Sequence, residues 1–183
     1  MNIDETIRGR RSIRKYQDKD IPDPVINEIL ELALYSPSSM NGQPWHFIII
    51  RDPFTKQELA NIKNAFCPLE KQAYQADFLI TAPVVIIVCV DREKSFDRGL
   101  ENAVLATENI MLGAYSRGLG SVYMSAYKAG DQGVAEAIKK LFRIPGNMDP
   151  VTIIPLGYPD ETPEPKTIKP LSEVVFYEYF NNR

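Results

Sequence analysis

The chain has 183 residues, of which 44% are hydrophobic and 25% charged, and its formal net charge is −3. This length and composition are typical of one globular domain with a buried core. The net negative charge disfavours nucleic acid and anionic membranes as partners, and the longest apolar stretch, 82–90, is too short to cross a bilayer. Cys67 and Cys89 show neither a disulfide framework nor metal-ligand spacing, so we expect reduced thiols, no metal site and a cytoplasmic protein.

The first half of the chain predicts two helices and two strands. Residues 23–36 form a helix that Asp23 caps, with proline at the first helical position, and 54–65 form a second helix. Between them, 45–50 is an aromatic and β-branched strand. The segment 64–77 mixes aromatic, proline and charged residues and has no clear assignment. The apolar run 84–90 lacks alternation, which predicts a central strand covered on both faces.

The second half predicts two further helices and two strands. A helix covers 100–115 and ends at the following glycines, and a short strand covers 121–124. An amphipathic helix over 134–142 is followed by a core strand over 151–156. Pro155 indicates an edge position or a bulge in that last strand, because proline cannot donate to the ladder.

The composition changes after residue 159. Four prolines between 159 and 170 predict an extended arm, and the tail 174–180 is rich in aromatic side chains. Such a tail must pack on something, either a partner subunit or its own domain.

The residue inventory excludes several chemistries. The one histidine, His46, lies between two aromatics in a predicted strand, which favours a structural role over a Ser-His-Asp or Cys-His arrangement. One histidine and two distant cysteines cannot supply an ordinary zinc ligand set. The stretch 118–123 lacks the third glycine of a dinucleotide fingerprint and joins a helix to a strand, the reverse of the required order. Any enzymatic chemistry is therefore expected to rest on a cofactor bound by other means.

The N-terminal segment offers such means. Five cations and Ser12 lie within 8–15, and arginine presents a planar fork of donors that matches phosphate oxygens. A solvated basic face accounts for the cluster about as well as an anion site does. A nucleic-acid-binding arm is disfavoured, because the cluster is short, lacks interleaved aromatic residues and leads directly into a helix. The cations are Arg8, Arg10, Arg11, Arg14 and Lys15.

A second stretch, 36–45, is crowded with small hydrogen-bonding groups and joins a helix to a strand. Together with the basic cluster it resembles the FMN-dependent nitroreductase family, which reads R-R-S-x-R-x-[FY] and then P-S-x-x-N-x-Q-P-W-x-F. Here those motifs are 10–16 and 37–47. The similarity continues in order through 118–122, 154–159 and 169–171.

The resemblance implies an α+β, three-layer fold with a central, mostly antiparallel sheet flanked by helices. The partner subunit's C-terminal arm would complete that sheet in a homodimer, and FMN would lie between the two subunits. It also implies an FMN-binding domain over 1–160 and an arm over 161–183 that belongs to the same domain in the dimer.

The family's functional residues carry over by position. The phosphate, ribityl chain and pyrimidine edge of FMN would be held by Arg10, Arg11, Ser12 and Arg14. The flavin bound mainly by the partner would be reached by Ser38, Ser39, Met40 and Asn41. Over the ring, with a backbone N–H facing N5, would lie Tyr123, Met124, Ser125 and Ala126. Gly157 would leave room near the ring.

One position departs from the family pattern. Many short members carry an arginine where this chain has Ile168, so Lys166 or Lys169 is expected to supply that charge without bidentate pairing. Phe66 and Leu69 are candidates to border the substrate pocket.

The implied reaction is ping-pong hydride transfer, in which NADH or NADPH reduces FMN and a small acceptor such as a nitroaromatic or a quinone then reoxidises it. No side-chain acid or base is required, which agrees with the single histidine. Dehalogenation, flavin cleavage or azoline dehydrogenation on the same cofactor remain alternatives, as does a non-catalytic flavin-binding role.

Overall fold

The computed structural model describes residues 2–67, 75–127 and 130–180, and its centre is an antiparallel sheet. The strands are β1 (Trp45–Ile50), β2 (Val84–Asp91), β3 (Gly120–Ser121), β4 (Met124–Ser125) and β5 (Met148–Gly157). The helices are α1 (Ile3–Gly9), α2 (Asp23–Leu34), α3 (Pro53–Ala65), α4 (Phe78–Thr81), α5 (Gly99–Ser116), α6 (Gly133–Phe142) and α7 (Leu171–Val174).

Strand β2 lies at the centre of the sheet, between β1 and β5. Alternate side chains of a strand point to opposite faces, so β2 contributes to two separate cores. Val84, Ile86, Val88 and Val90 pack with α2 and α5 on one face. Val85, Ile87 and Cys89 pack with α3, α4 and α6 on the other. These two cores confirm the three-layer α+β fold and the central position predicted for this strand.

Several predicted boundaries need correction. The strand predicted over 121–124 is two short strands, β3 and β4, which pair separately with β5. Helix α2 starts at Asp23 itself, with Pro22 at the N-cap, and the Asp23 carboxylate accepts a hydrogen bond from Arg51 and does not cap the helix. The segment 64–77 has no clear assignment from sequence. In the structure α3 ends with residues 64–65, and α4 follows residues 76–77. Residues 68–74 lie outside the described residues.

Pro155 lies in an inner strand of the sheet, at a point where β5 pairs with β2 alone among the described strands. No bulge lies there, because the register shift against β2 falls between Val88 and Cys89, far from the Pro155–Val85 pair. The proline is accommodated because β3 reaches Leu156 and β4 reaches Ile153, so neither strand requires an N–H at residue 155.

The arm leaves the body after residue 160 and carries its apolar side chains at the surface. Tyr179 and Phe180 are each 79% exposed, and Phe176 stacks on Phe180 with ring centroids 4.4 Å apart. Packing of the tail on its own domain, one of the two expectations, is therefore not what the structure shows. Among the described helices, none combines the length and the hydropathy needed to span a bilayer.

Candidate functional site

The N-terminal segment runs along the end of the sheet after α1. Ser12 forms an isolated parallel bridge with Ser121, where the Ile13 N–H donates to the Ser121 carbonyl at 3.0 Å. Ile13 is buried, and Gly120 allows this approach because a Cβ there would lie 2.7 Å from the Ile13 side chain. The neighbours on either side, Ser12 and Arg14, are exposed, so the segment presents them on its outer face.

The clustered arginines have different partners. Arg11 Nη1 donates to the carbonyls of Arg8 and Arg10, at 2.7 and 2.9 Å, and so caps the C-terminus of α1. Arg10 Nε lies 3.9 Å from Glu108 Oε1, a long and half-exposed pair. Among the described residues, no carboxylate forms an ion pair with the exposed Arg14 guanidinium. Arg14 and Ser12 are therefore available to an external anion, and the side chains of Arg8 and Lys15 are exposed as well.

Glu161 fixes the base of the arm to this same segment. Its Oε1 accepts the backbone N–H of Lys15 at 3.0 Å and that of Arg14, and the Asp160 N–H donates to the Lys15 carbonyl at 2.9 Å. The sequence offers no signal for Glu161, because the two hydrogen-bonded positions are almost the whole chain apart.

Tyr16 closes the segment against β5. Its hydroxyl donates to the Ile13 carbonyl at 2.5 Å, and burial raises the pKa of this hydroxyl far above its usual range, with the Glu161 charge as a second cause. Gly157 makes room for this ring, because a Cβ there would lie 2.6 Å from Tyr16 Cδ1 and 2.7 Å from Pro83 Cδ. The close approach at Gly157 is thus to protein atoms, and a contact with a cofactor stays a prediction.

The loop that carries the second motif, 36–44, has an unusual backbone. Its 3-10 turn spans Ser39–Asn41, and Met40, Asn41 and Gln43 have positive φ values of 51°, 54° and 44°. A left-handed conformation costs a non-glycine residue about 1–2 kcal/mol, and such residues concentrate at functional sites. Met40 is also 82% exposed, so the turn projects an apolar side chain outward.

Helix α5 holds this loop in place. The Asn102 side chain, only 2% exposed, accepts the Ser39 N–H at 3.1 Å and donates to the Ser95 carbonyl at 3.3 Å. Two turns later on the same face, Asn109 donates to Ser36 Oγ at 2.8 Å. Sequence reasoning missed both asparagines, since a polar residue within a helix carries no sign of its partner.

Strand β4 pairs with β5 along one edge, and no other strand among the described residues pairs with its second edge. The Ala126 N–H donates to the Val151 carbonyl at 2.9 Å, and the Ala126 side chain is buried, so neither group faces outward. Backbone groups alternate along a strand, so the Ser125 N–H and carbonyl point away from β5. Ser125 Oγ is also held by the Tyr127 N–H, at 3.2 Å. Of the four residues predicted over the ring, Ser125 has an N–H directed away from β5, whereas the Ala126 N–H is bonded to Val151.

The other predicted residues fall in three places. Tyr123 and Met124 are partly exposed near the open edge of β4, and burial raises the pKa of the Tyr123 hydroxyl. Lys166 and Lys169 are exposed on the arm. Phe66 is partly exposed at the end of α3 and its ring contacts Gly133, whereas Leu69 lies outside the described residues.

The three-layer fold, with an arginine-bearing segment at one end of the sheet and a strained loop on α5, places the chain in a known class of α+β proteins. The sequence model of the nitroreductase family matches residues 7–158. The chain belongs to the nitroreductase family.

Relatives of known sequence or structure agree with this assignment. A Methanothermobacter thermautotrophicus protein named "Putative NADH dehydrogenase/NAD(P)H nitroreductase" is 41% identical over 165 residues, which are 89% of this chain and 80% of the relative. The crystal structure of a protein of the same name from Parabacteroides distasonis has a TM-score of 0.84 at 29% identity and covers 96% of this chain, 97% of its own. An FMN-dependent nitroreductase from Clostridium difficile has a TM-score of 0.77 at 29% identity, over 99% and 100% of the two chains.

The family also contains proteins named for another reaction. Iodotyrosine deiodinase from Thermotoga neapolitana is 26% identical over 183 residues, which are 92% of each chain.

Proposed function

We propose that this chain is a cytoplasmic FMN-dependent oxidoreductase that transfers reducing equivalents from NADH or NADPH to a small acceptor, such as a nitroaromatic or a quinone. The bound FMN would supply the hydride chemistry at N5 in a ping-pong sequence. Membership of the nitroreductase family and the names of the relatives support this proposal.

The observation that carries the proposal is the exposure of Ser12 and Arg14 in the arginine cluster. Ser12 and Arg14 stand on the exposed side of a segment whose backbone is fixed to β3 and to Glu161. A guanidinium without a carboxylate partner, next to a hydroxyl donor, fits a phosphate monoester or the electron-rich pyrimidine edge of a flavin. We assign these roles to Arg14, Ser12 and Arg10, while Arg11 contributes mainly by capping α1.

We propose that the two predicted binding segments serve one cofactor from two copies of the chain. The N-terminal segment meets α5 at Tyr115, where a Cβ on Gly9 would collide with the ring, and at Glu108. The loop meets α5 at Asn102 and Asn109. Membership of the nitroreductase family supports the assignment of the two segments to different copies. A twofold axis that sets the two α5 helices antiparallel would bring opposite ends together.

The arm gives a second reason to propose a homodimer. Its exposed aromatic side chains need a surface, and among the described strands β1 pairs only with β2, so one edge of β1 is open. We propose that the partner's arm, from residue 161 onward, covers this edge and carries Lys166 and Lys169 toward the cofactor's phosphate.

The remaining predicted residues would position the cofactor and the acceptor. The exposed turn at Met40 would reach the partner's cofactor, with Ser38, Ser39 and Asn41 in the same loop. The outward N–H of Ser125 would bind the cofactor's edge over β4, and Phe66 and Leu69 would border the acceptor. Positioning of donor and acceptor on one face would supply most of the rate.

The direct test is an absorption spectrum of the purified protein, followed by anaerobic titration with NADH and with NADPH. We expect a flavin spectrum that either nucleotide bleaches and a nitroaromatic or quinone restores. A colourless protein in which added FMN restores neither the spectrum nor nucleotide oxidation would refute the proposal.

Two variants test the arginine assignment. Arg14→Ala should weaken FMN binding at least tenfold, whereas Arg11→Ala should mainly lower helix stability because its donors already serve α1. Equal losses of FMN in both variants would contradict the separate roles. Loss of RNA or DNA binding with FMN retained would favour a basic nucleic-acid arm.

A different reaction on the same cofactor is the second candidate, and the deiodinase relative favours it. A halotyrosine and a nitroaromatic, offered in parallel to the reduced protein, would separate the two activities. Phe66→Ala should change the acceptor preference more than the affinity for FMN. Bound FMN with turnover of no acceptor would instead indicate a flavin-binding role.

A further inference from the structure

A lysine on α3 reaches the open edge of β4. Lys63 Nζ donates to the Ser125 carbonyl at 2.6 Å, across 62 positions of the chain. The side chain is half-buried, and burial lowers the pKa of its ammonium group, with Cys67 acting in the opposite direction. The positive charge is therefore placed in a partly desolvated position, where charges act more strongly than in water.

The direction of the Ser125 backbone places Lys63 beside the Ser125 N–H as well as beside its carbonyl. The Ala126 N–H is bonded to Val151, so the Ser125 carbonyl and N–H share the opposite edge of β4. Lys63 holds the carbonyl of Ser125, and the N–H of the same residue points to the same side. The ammonium group and the outward amide thus lie side by side.

A second lysine on α3, Lys56, has a purely structural contact and serves for comparison. Lys56, 6% exposed and one heptad earlier on the same face, donates to the Ala82 carbonyl at 2.7 Å, and burial also lowers its pKa. Both lysines attach α3 to the layer beneath it. Only Lys63 does so at a strand end where backbone hydrogen-bonding groups remain directed outward.

We infer that Lys63 is a positioning residue of the flavin site, which fixes the Ser125 amide and sets a positive charge beside the cofactor edge over β4. The inference rests on the proposed function. A cation at this edge stabilises the added negative charge of reduced FMN relative to its oxidised form. Lys63 therefore favours reduction of the bound cofactor, in addition to attaching α3 to β4.

The test compares Lys63→Met with Lys56→Met and with Lys63→Arg. Removing the Lys63 charge should lower the equilibrium constant for two-electron reduction of bound FMN about tenfold, which is about 30 mV in midpoint potential. Lys56→Met should lower stability to a similar degree but leave the potential unchanged, and Lys63→Arg should retain most of the wild-type potential. Potentials are measured by dye equilibration, and FMN affinity by fluorescence quenching in the apoprotein.

The outcomes separate the inference from the proposed function. If the wild-type protein binds no FMN, both fail. If FMN binds and its potential is the same in Lys63→Met, Lys56→Met and wild type, Lys63 is only a structural tie and the inference alone is overturned. Should Lys63→Met fail to fold, Lys63→Gln keeps an N–H donor without the charge, and an unchanged potential in that variant overturns the inference equally.

Discussion

Replacing Asn102 by alanine should release the strained loop. The change removes the acceptor for the Ser39 N–H and the donor to the Ser95 carbonyl. A buried polar group left without a partner costs about 1–3 kcal/mol, whereas the three left-handed residues of the loop together hold about 3–6 kcal/mol of backbone strain. The Ser95 carbonyl still accepts the Arg98 N–H, so the Ser39 N–H is the group that loses its partner. Because opening the loop relieves backbone strain and lets water reach Ser39, we expect a loss of about 1–2 kcal/mol in the free energy of unfolding.

Two measurements check this expectation. Urea denaturation gives the free energy of unfolding, and amide hydrogen exchange reports on residues 38–43, whose protection should fall by at least tenfold. FMN affinity should fall as well, because the loop is proposed to reach the partner's cofactor. The matched control is Asn61→Ala, since Asn61 is exposed on α3 and bonds only to exposed side chains.

Unchanged exchange in the loop, together with stability within about 0.5 kcal/mol of wild type, would show that Asn102 does not hold the loop. A loss of stability equal to that of Asn61→Ala would carry the same meaning. Reduced FMN affinity without any change in exchange would place Asn102 in a different role, since the loop would then still be closed.

Three further predictions follow from the packing around the N-terminal segment. Gly157→Ala should lower the free energy of unfolding by about 2 kcal/mol, measured in urea, because its Cβ overlaps the Tyr16 ring; an unchanged midpoint contradicts this. Burial raises the pKa of Tyr16, so the unfolded chain ionises above about pH 10 while the folded chain does not. Wild-type stability should therefore fall as pH rises beyond 10, and Tyr16→Phe should reduce that slope. Glu161→Ala should speed tryptic cleavage at Lys166 in the arm, because the carboxylate's hydrogen bonds to the body are lost, while Glu164→Ala should not. Equal cleavage rates in the two variants would show that Glu161 does not hold the arm on the body.

Local patterns were sufficient for the main elements of the fold. The run 84–90 is apolar at every position, and only a strand covered on both faces buries all of its side chains. The helix predicted over 100–115 matches α5 within one residue at each end, since the segment has no proline and a single glycine, Gly113. The split between β3 and β4 was missed because their pairing is decided by β5, some 30 residues later.

The composition of the basic cluster does not show which partner each arginine has in the fold. Five cations in one short stretch predict an anion site, yet they do not show that Arg11 donates to the carbonyls at the end of α1. Asn102, Glu161 and Lys63 carry no sequence signal either. Each acts through a backbone group 62 or more positions away, and such a partner is determined only by how the layers pack.

The proposed sharing of FMN between two copies links cofactor binding to assembly. If FMN is held by the N-terminal segment of one copy and by the loop of the other, a monomer offers only part of the contacts. By mass action, FMN then stabilises the dimer and the dimer retains FMN. Dilution of the holoprotein, followed by flavin fluorescence and by sedimentation, should show FMN release and dissociation at the same protein concentration. FMN retained at full occupancy by a monomer would mean that one copy forms the entire site, and the proposed contribution of the loop around Met40 would then be wrong.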